Sequence, residues 1–196
     1  MNFLAHLYLS GKNEKVMVGN FIGDYVKGRK YEAFENEIKT GILLHRQIDT
    51  FTDKHPKFRE AKKLFRPELG LYSGIIIDLV YDHFLAKNWS SFSDTTLRDF
   101  TKWVHAVLLS NYLHLPRKVQ GFLPFIIQNR RLESYATIDG IQKAIEIMGR
   151  HSSLPQKSAE AIEIMTLNYT LLENNFFDFM ADIKKEFNRE DSNPRF

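Results

Sequence analysis

The sequence of 196 residues contains no cysteine. This absence excludes disulfide bonds, thiolate catalysis and zinc sites built on cysteine. It also agrees with a reducing compartment, so we expect a cytoplasmic protein. The start of the chain, MNFLAHLYLSGKNEK, is apolar but short and has no basic leader, so we do not expect it to act as a signal peptide.

Long apolar runs and a strong net charge are also missing. No segment approaches the ~18 consecutive apolar residues of a membrane-spanning helix, so we expect no contact with a membrane. The formal net charge is only +3. A nucleic-acid-binding protein usually shows a concentrated basic stripe, and we therefore expect no nucleic-acid partner. The small basic excess favours an acidic partner instead.

Apolar residues recur with helical spacing along nearly the whole chain, and no stretch alternates with the period of a strand. The length and the 43% hydrophobic content are sufficient for one full core. We predict a single all-α domain over residues 1–190, a bundle of about seven or eight helices, followed by a frayed tail at 191–196. One helix is predicted over Ser73–Asn88 and one long helix from Pro155 toward Arg189.

The segment IIIDLVYDHFLAKNW places two acids and an imidazole in a helix that is apolar on nearly every side. Asp78 and Asp82 are one turn apart and share a face. His83 follows, turned by about 100° around the helix axis. A helix of this kind is expected to be buried, and an unpaired buried carboxylate costs several kcal/mol. A basic partner or a metal ion must therefore compensate these side chains.

Two further segments show the same pattern. In GILLHRQIDTFTD, His45 and Asp49 lie one turn apart and could bind one divalent ion. Arg46, between them, could hold a phosphate oxygen as a two-pronged donor. In GNFIGDYVKG, Asp24 lies among apolar residues, and His6 is placed similarly in MNFLAHLYL.

Each segment alone also has an ordinary structural explanation. Asp82 and His83 could form a helix-face pair bonded to Arg46, and Asp24 could pair with Lys27. A salt-bridge network needs about as many cations as anions, however, and Arg46 is the one obvious cation. The carboxylates number four: Asp24, Asp49, Asp78 and Asp82. The missing positive charge predicts a divalent metal, with Mn²⁺ or Mg²⁺ favoured over Fe²⁺ or Zn²⁺, and such an ion suits phosphoester hydrolysis.

The motifs MNFLAHLYLS, GNFIGDYVKG, GILLHRQIDTFTD and DLVYDHFLAKNW, in this order, resemble the acyl carrier protein phosphodiesterase family. The resemblance covers most of the chain and is closer in its first half. It implies hydrolysis of the phosphodiester that joins 4′-phosphopantetheine to a serine of holo-acyl carrier protein. It also implies a divalent metal, typically manganese, an acidic acyl carrier protein as partner, and a fold distantly related to the helical HD phosphohydrolases.

The family motif positions, carried onto this sequence, give the expected site residues. The implied metal ligands are His6, Asp24, His45, Asp49, Asp82 and His83, with Asp78 as a further candidate. The catalytic roles are expected at Asp24, Arg46, Asp82 and His83. The HD superfamily is marked by a His followed directly by an Asp, whereas the adjacent pair here is the reversed Asp82–His83.

Three functions stay open at this point. The first is hydrolysis of holo-acyl carrier protein, with Lys27, Arg29 and Lys30 beside Asp24 as an expected docking surface for the acidic carrier protein. The second is a metal-dependent phosphohydrolase acting on a nucleotide or another small phosphoester. The third is a helical binding module whose buried acids pair with arginines. The oligomeric state is not determined by the sequence.

Overall fold

A computed structural model of the protein describes residues 3–151 and 155–187. Within these ranges the chain forms eleven α-helices and no strand. In chain order they are α1 Phe3–Leu9, α2 Glu14–Ile22, α3 Asn36–Lys54, α4 Pro56–Leu69, α5 Ser73–Lys87, α6 Leu97–Ser110, α7 Arg117–Gln128, α8 Arg131–Ser134, α9 Ile138–His151, α10 Ser158–Leu167 and α11 Tyr169–Phe187. The all-α prediction is confirmed, with more helices than the seven or eight expected. The predicted tail at 191–196 lies outside the described residues.

The apolar helix α5 is the central element of the core. It packs against α1, α4, α9 and α11, and its side chains Tyr81 and Phe84 are fully buried. The stretch Pro56–Lys87, which joins α4 and α5, is long and apolar enough to cross a membrane by length and composition. However, 67% of its most apolar window is buried inside the protein, as a central core helix requires.

Helices α2 and α3 cross closely because two glycines face each other at the crossing point. A Cβ atom added to Gly19 would overlap the carbonyl oxygen of Ile38, and one added to Gly41 would overlap the carbonyl oxygen of Val16. Any side chain at these positions would push the two helices apart. The glycine pair therefore allows polar groups on α2 to touch side chains of α3.

The long helix predicted from Pro155 toward Arg189 is in fact two helices. It breaks at Asn168, whose backbone (φ −114°, ψ 20°) leaves the helical region. The Asn168 side chain donates a hydrogen bond from Nδ2 to the carbonyl oxygen of Ile164 at 2.9 Å. Such a side chain competes with the helical backbone pattern, which apolar periodicity does not detect. Positions 188 and 189 of the predicted helix lie outside the described residues.

Candidate metal centre

Three side chains from α1 and α3 meet at one place. His6, His45 and Asp49 each offer a ligand atom, and these atoms lie within 4.8 Å of one another. Nε2 of His6 is 3.2 Å from Oδ1 of Asp49, and Nε2 of His45 is 3.2 Å from Oδ2 of the same carboxylate. The two imidazole rings are stacked, with 4.0 Å between their centroids. The structure thus brings together three of the residues that the sequence predicts as ligands.

A fourth predicted residue, Asp24, lies at the edge of this cluster. It follows α2 in a short 3-10 turn, and its Oδ1 is 3.5 Å from Nε2 of His45. The side chain of Asp24 is 66% exposed and that of Asp49 38%, whereas His6 and His45 are almost fully buried. The centre therefore has a closed side formed by imidazoles and an open side formed by carboxylates, where a substrate could approach.

The hydrogen bonds of the two imidazoles define which ring nitrogen carries the proton. Nδ1 of His45 lies 2.8 Å from the main-chain oxygen of Asn20, and a carbonyl oxygen only accepts, so Nδ1 donates. Nδ1 of His6 lies 2.8 Å from Oδ1 of Asn20 and donates in the same way. In the neutral rings both Nε2 atoms then carry lone pairs. Both Nε2 atoms face the carboxylate of Asp49.

The ionisation of the cluster follows from burial and from the contacts among its members. Burial lowers the pKa of His6 to about 4, although Asp49 opposes this. Burial alone would also lower the pKa of His45, but Asp24 and Asp49 raise it to about 9. The His45 ring lowers the pKa of Asp24. For Asp49, burial acts in the opposite direction, yet the two imidazoles hold its pKa well below the usual range. Both carboxylates are therefore ionised at neutral pH.

Gly23 explains why the His45 ring can occupy this place. A Cβ atom at Gly23 would overlap the imidazole of His45. Gly19 thus allows the close crossing with α3, whereas Gly23 leaves room for a site residue.

Asp82 lies apart from the cluster and has partners of its own. It is 0% exposed, and its two carboxylate oxygens accept the backbone N–H groups of Leu4 and Ala5 at 2.9 and 3.0 Å. These are first-turn donors of α1, which no intrahelical carbonyl can satisfy. The compensation that the sequence assigns to a metal comes here from a helix N-terminus, so we leave Asp82 out of the proposed ligand set, while its catalytic role stays a prediction.

His83 is also held elsewhere. Its Nδ1 donates to the carbonyl oxygen of Tyr135 at 2.8 Å, and its Nε2 accepts from the hydroxyl of Tyr169 at 2.7 Å. Both ring nitrogens are thus occupied by tyrosines of other segments. These bonds connect α5 to α11 and to the turn after α8, so we leave His83 out of the proposed ligand set, while its catalytic role stays a prediction.

Asp78 is half-buried on α5 and does not belong to the three-residue cluster. Its pKa is raised to about 6, mainly by burial and to a smaller extent by the negative charges of Asp49 and Asp53. Its role as a ligand stays a prediction.

Arg46 holds the loop that follows Asp24. Its Nη2 donates to the carbonyl oxygens of Val26 and Gly28, both at 2.8 Å, and its guanidinium lies 5.0 Å from the centroid of the Tyr31 ring. These contacts tie the loop to α3. They give Arg46 a structural role that the sequence does not predict, while its contact with a phosphate stays a prediction.

Asn20 is the site residue that sequence reasoning missed. It is 0% exposed in the apolar helix α2 and contacts both imidazoles, one through its side chain and one through its main chain. The signal was present in VMVGNFI, where one amide interrupts an apolar helix. A buried amide needs hydrogen-bond partners. The reasoning that singles out the buried acids therefore applies to Asn20 as well.

Comparison with known proteins gives a consistent family. The family model described as "Acyl carrier protein phosphodiesterase" matches residues 1–183. A protein of that name from Enterobacter sp. (strain 638) is 31% identical over 180 residues, covering 91% of this chain and 93% of the relative. Another from Yersinia pestis is 30% identical over 187 residues, covering 95% and 97%. A third from Shigella boydii serotype 18 is 34% identical over 182 residues, covering 91% and 93%. No solved structure matches, so the relation to HD phosphohydrolases stays a prediction.

Proposed function

The chain belongs to the acyl carrier protein phosphodiesterase family, and we propose that it hydrolyses the phosphodiester between 4′-phosphopantetheine and a serine of holo-acyl carrier protein. In this reaction a water oxygen forms a bond to phosphorus and the bond from phosphorus to the serine oxygen breaks. The serine oxygen leaves with a proton. The products are the apo-carrier protein and 4′-phosphopantetheine.

One observation supports metal dependence above the others. Nε2 of His6 and Nε2 of His45 both lie 3.2 Å from oxygens of the same carboxylate, that of Asp49. Without a metal the two carboxylates retain a proton on His45, whose pKa they raise to about 9, and a bound cation would take the place of that proton. The mixed nitrogen and oxygen donors fit Mn²⁺, with Mg²⁺ or Fe²⁺ as alternatives. We propose His6, His45 and Asp49 as its ligands, with Asp24 as a fourth.

When bound, such an ion lowers the pKa of a water molecule and polarises a phosphoryl oxygen. The protein's own contribution is to orient the two imidazoles from their Nδ1 side and to close off the inner face of the site. Asp24 is ionised and is the most exposed acid of the cluster. We propose that Asp24 accepts the proton of the attacking water.

The loop after Asp24 supplies a surface for the acidic partner. Lys27 and Lys30 are exposed there, and neither forms an ion pair within the described part of the chain. Arg29 differs, because its guanidinium lies 2.9 Å from Glu32 and its charge is compensated locally. Complementary charge mainly accelerates encounter and selects the partner. We propose that Lys27 and Lys30 lead this docking, with a smaller part for Arg29.

The direct test is mass spectrometry of holo-acyl carrier protein after incubation with the enzyme and Mn²⁺. We expect conversion to the apo-protein and release of 4′-phosphopantetheine, and no conversion with the Asp49→Asn variant. A panel of nucleotides and small phosphodiesters is assayed in parallel. If a nucleotide is hydrolysed while holo-carrier protein stays intact, the protein is instead a phosphohydrolase that acts on small phosphoesters. Absence of any bound Mn²⁺ or Fe²⁺ in metal analysis, together with no turnover, would indicate the binding module.

A further inference from the structure

The side chain of Asn20 is locked in one orientation between α1 and α2. Its Nδ2 donates to the carbonyl oxygen of His6 at 2.8 Å and to Oγ of Ser10 at 2.9 Å. The Ser10 hydroxyl donates its proton to the same His6 carbonyl at 2.8 Å. Its oxygen can therefore only accept a hydrogen bond from Asn20. A flipped amide would place Oδ1 against two acceptors. Oδ1 must therefore face Nδ1 of His6, where it lies at 2.8 Å.

This locked amide determines the tautomer of His6. An imidazole whose Nε2 lies 3.2 Å from a carboxylate oxygen would, if free, carry its proton on Nε2 and donate it to Asp49. That tautomer has no lone pair to offer on Nε2. Because Asn20 presents an acceptor to Nδ1, the proton is retained on the opposite side of the ring.

We propose that Asn20 is a positioning residue that keeps His6 in the Nδ1–H tautomer and so prevents a competing His6–Asp49 hydrogen bond from closing the metal site. The inference rests on the proposed function, because that proposal identifies the metal site. The tautomer of His6 in the metal-free protein can be measured independently of it. Groups that hold the second nitrogen of a ligating histidine typically affect metal affinity by about 10- to 100-fold.

The second imidazole provides a control within the same molecule. Nδ1 of His45 donates to the main-chain oxygen of Asn20, which every substitution at this position retains. A change of the Asn20 side chain should therefore alter the tautomer of His6 and leave that of His45 unchanged. A general disturbance of α2 would affect both rings.

The test uses ¹⁵N-labelled, metal-free protein, in which two-bond ¹H–¹⁵N correlation spectra identify the tautomer of each histidine. The spectra are recorded above the His45 pKa of about 9, where the wild type is expected to show both rings as Nδ1–H. Asn20→Ala is expected to convert His6 to Nε2–H with His45 unchanged, and to weaken binding of Mn²⁺ alone by about 10- to 100-fold in a calorimetric titration. Asn20→Ser, with a shorter side chain, provides the same test should the alanine variant not fold.

Two matched variants separate positioning from folding. Asn20→Asp retains an acceptor for His6 Nδ1 but loses the two hydrogen bonds that Nδ2 donates, so its stability should be lower. We nevertheless expect the Nδ1–H tautomer of His6 to persist. The affinity for Mn²⁺ should fall less than in Asn20→Ala. Ser10→Ala removes one partner of Nδ2 and should leave the tautomer unchanged. An Asn20→Ala protein with His6 still Nδ1–H, or with His45 changed equally, overturns the inference. A wild type with the expected tautomers but no Mn²⁺ binding overturns the proposed metal site instead.

Discussion

Replacing Asp82 with asparagine is expected to flatten the pH dependence of the stability of this protein. Asp82 is 0% exposed, and burial raises its pKa to about 7 although Leu4 and Ala5 donate to it. An aspartate whose pKa is higher in the folded than in the unfolded chain favours folding when it is protonated. Its contribution is therefore fully present below the unfolded pKa and is lost as the pH rises from about 4 to about 7.

The expected magnitude follows from the two pKa values. The pKa of Asp82 is raised from 3.8 to about 7, a difference of roughly three pH units. At about 1.36 kcal/mol per unit, this corresponds to a total change of about 4 kcal/mol in the free energy of unfolding. At pH 5 the unfolded carboxylate is already mostly ionised, so roughly 2 to 3 kcal/mol of this loss falls between pH 5 and 8. Asparagine does not titrate. Its amide accepts fewer N–H groups than the carboxylate, which subtracts about 1 kcal/mol at every pH and does not affect the slope.

Urea unfolding of both proteins at pH 5, 6, 7 and 8 measures this difference. The stability of the wild type relative to Asp82→Asn should fall by roughly 2 to 3 kcal/mol across this range. Parallel pH curves would refute the reasoning. The same samples, unfolded with and without Mn²⁺, test the revised ligand set, because a variant that retains stabilisation by the metal is consistent with Asp82 as the cap of α1. Loss of that stabilisation would return Asp82 to the ligands.

Further substitutions test other parts of the site. Asp49→Asn should weaken Mn²⁺ binding by at least about 10-fold in calorimetry, and unchanged affinity would remove Asp49 from the ligands. Gly41→Ala should lower the unfolding free energy by about 1–3 kcal/mol or more in urea titration, because its Cβ would overlap the backbone of α2, and an unaffected protein would contradict the close crossing. The double variant Lys27→Glu/Lys30→Glu should raise the KM for holo-carrier protein and leave hydrolysis of a small phosphodiester unchanged. Arg29→Glu should raise this KM less, because Arg29 is already paired with Glu32. Equal effects of the two variants on KM would argue against the docking surface.

Features that depend on local spacing could be predicted from the sequence. Apolar periodicity predicts a helix over Ser73–Asn88, and α5 spans Ser73–Lys87. The one-turn separation of His45 and Asp49 places both on the same face of α3, and the structure confirms that they meet. In each case the geometry of a single helix was sufficient, because residues four apart on a helix are neighbours whatever surrounds them.

Features that depend on distant backbone could not be predicted. A buried carboxylate shows that compensation is needed, but a metal ion, an arginine and the N–H groups of a helix N-terminus all satisfy it. For Asp82 the donors are Leu4 and Ala5, more than seventy positions away. The two donors leave no trace in the sequence, since every non-proline residue carries a backbone N–H.

The closeness of α2 and α3 connects the fold to the chemistry of the site. Packed helices usually lie about 8–10 Å apart, a distance at which side chains fill the space between the two backbones. The facing glycines Gly19 and Gly41 remove those side chains, so that the main-chain oxygen of Asn20 comes within 2.8 Å of the His45 ring. A side chain at either glycine would withdraw this acceptor from the His45 ring. The two glycines therefore allow the main chain of α2 to hold one proposed ligand in place, while the Asn20 side chain contacts the other.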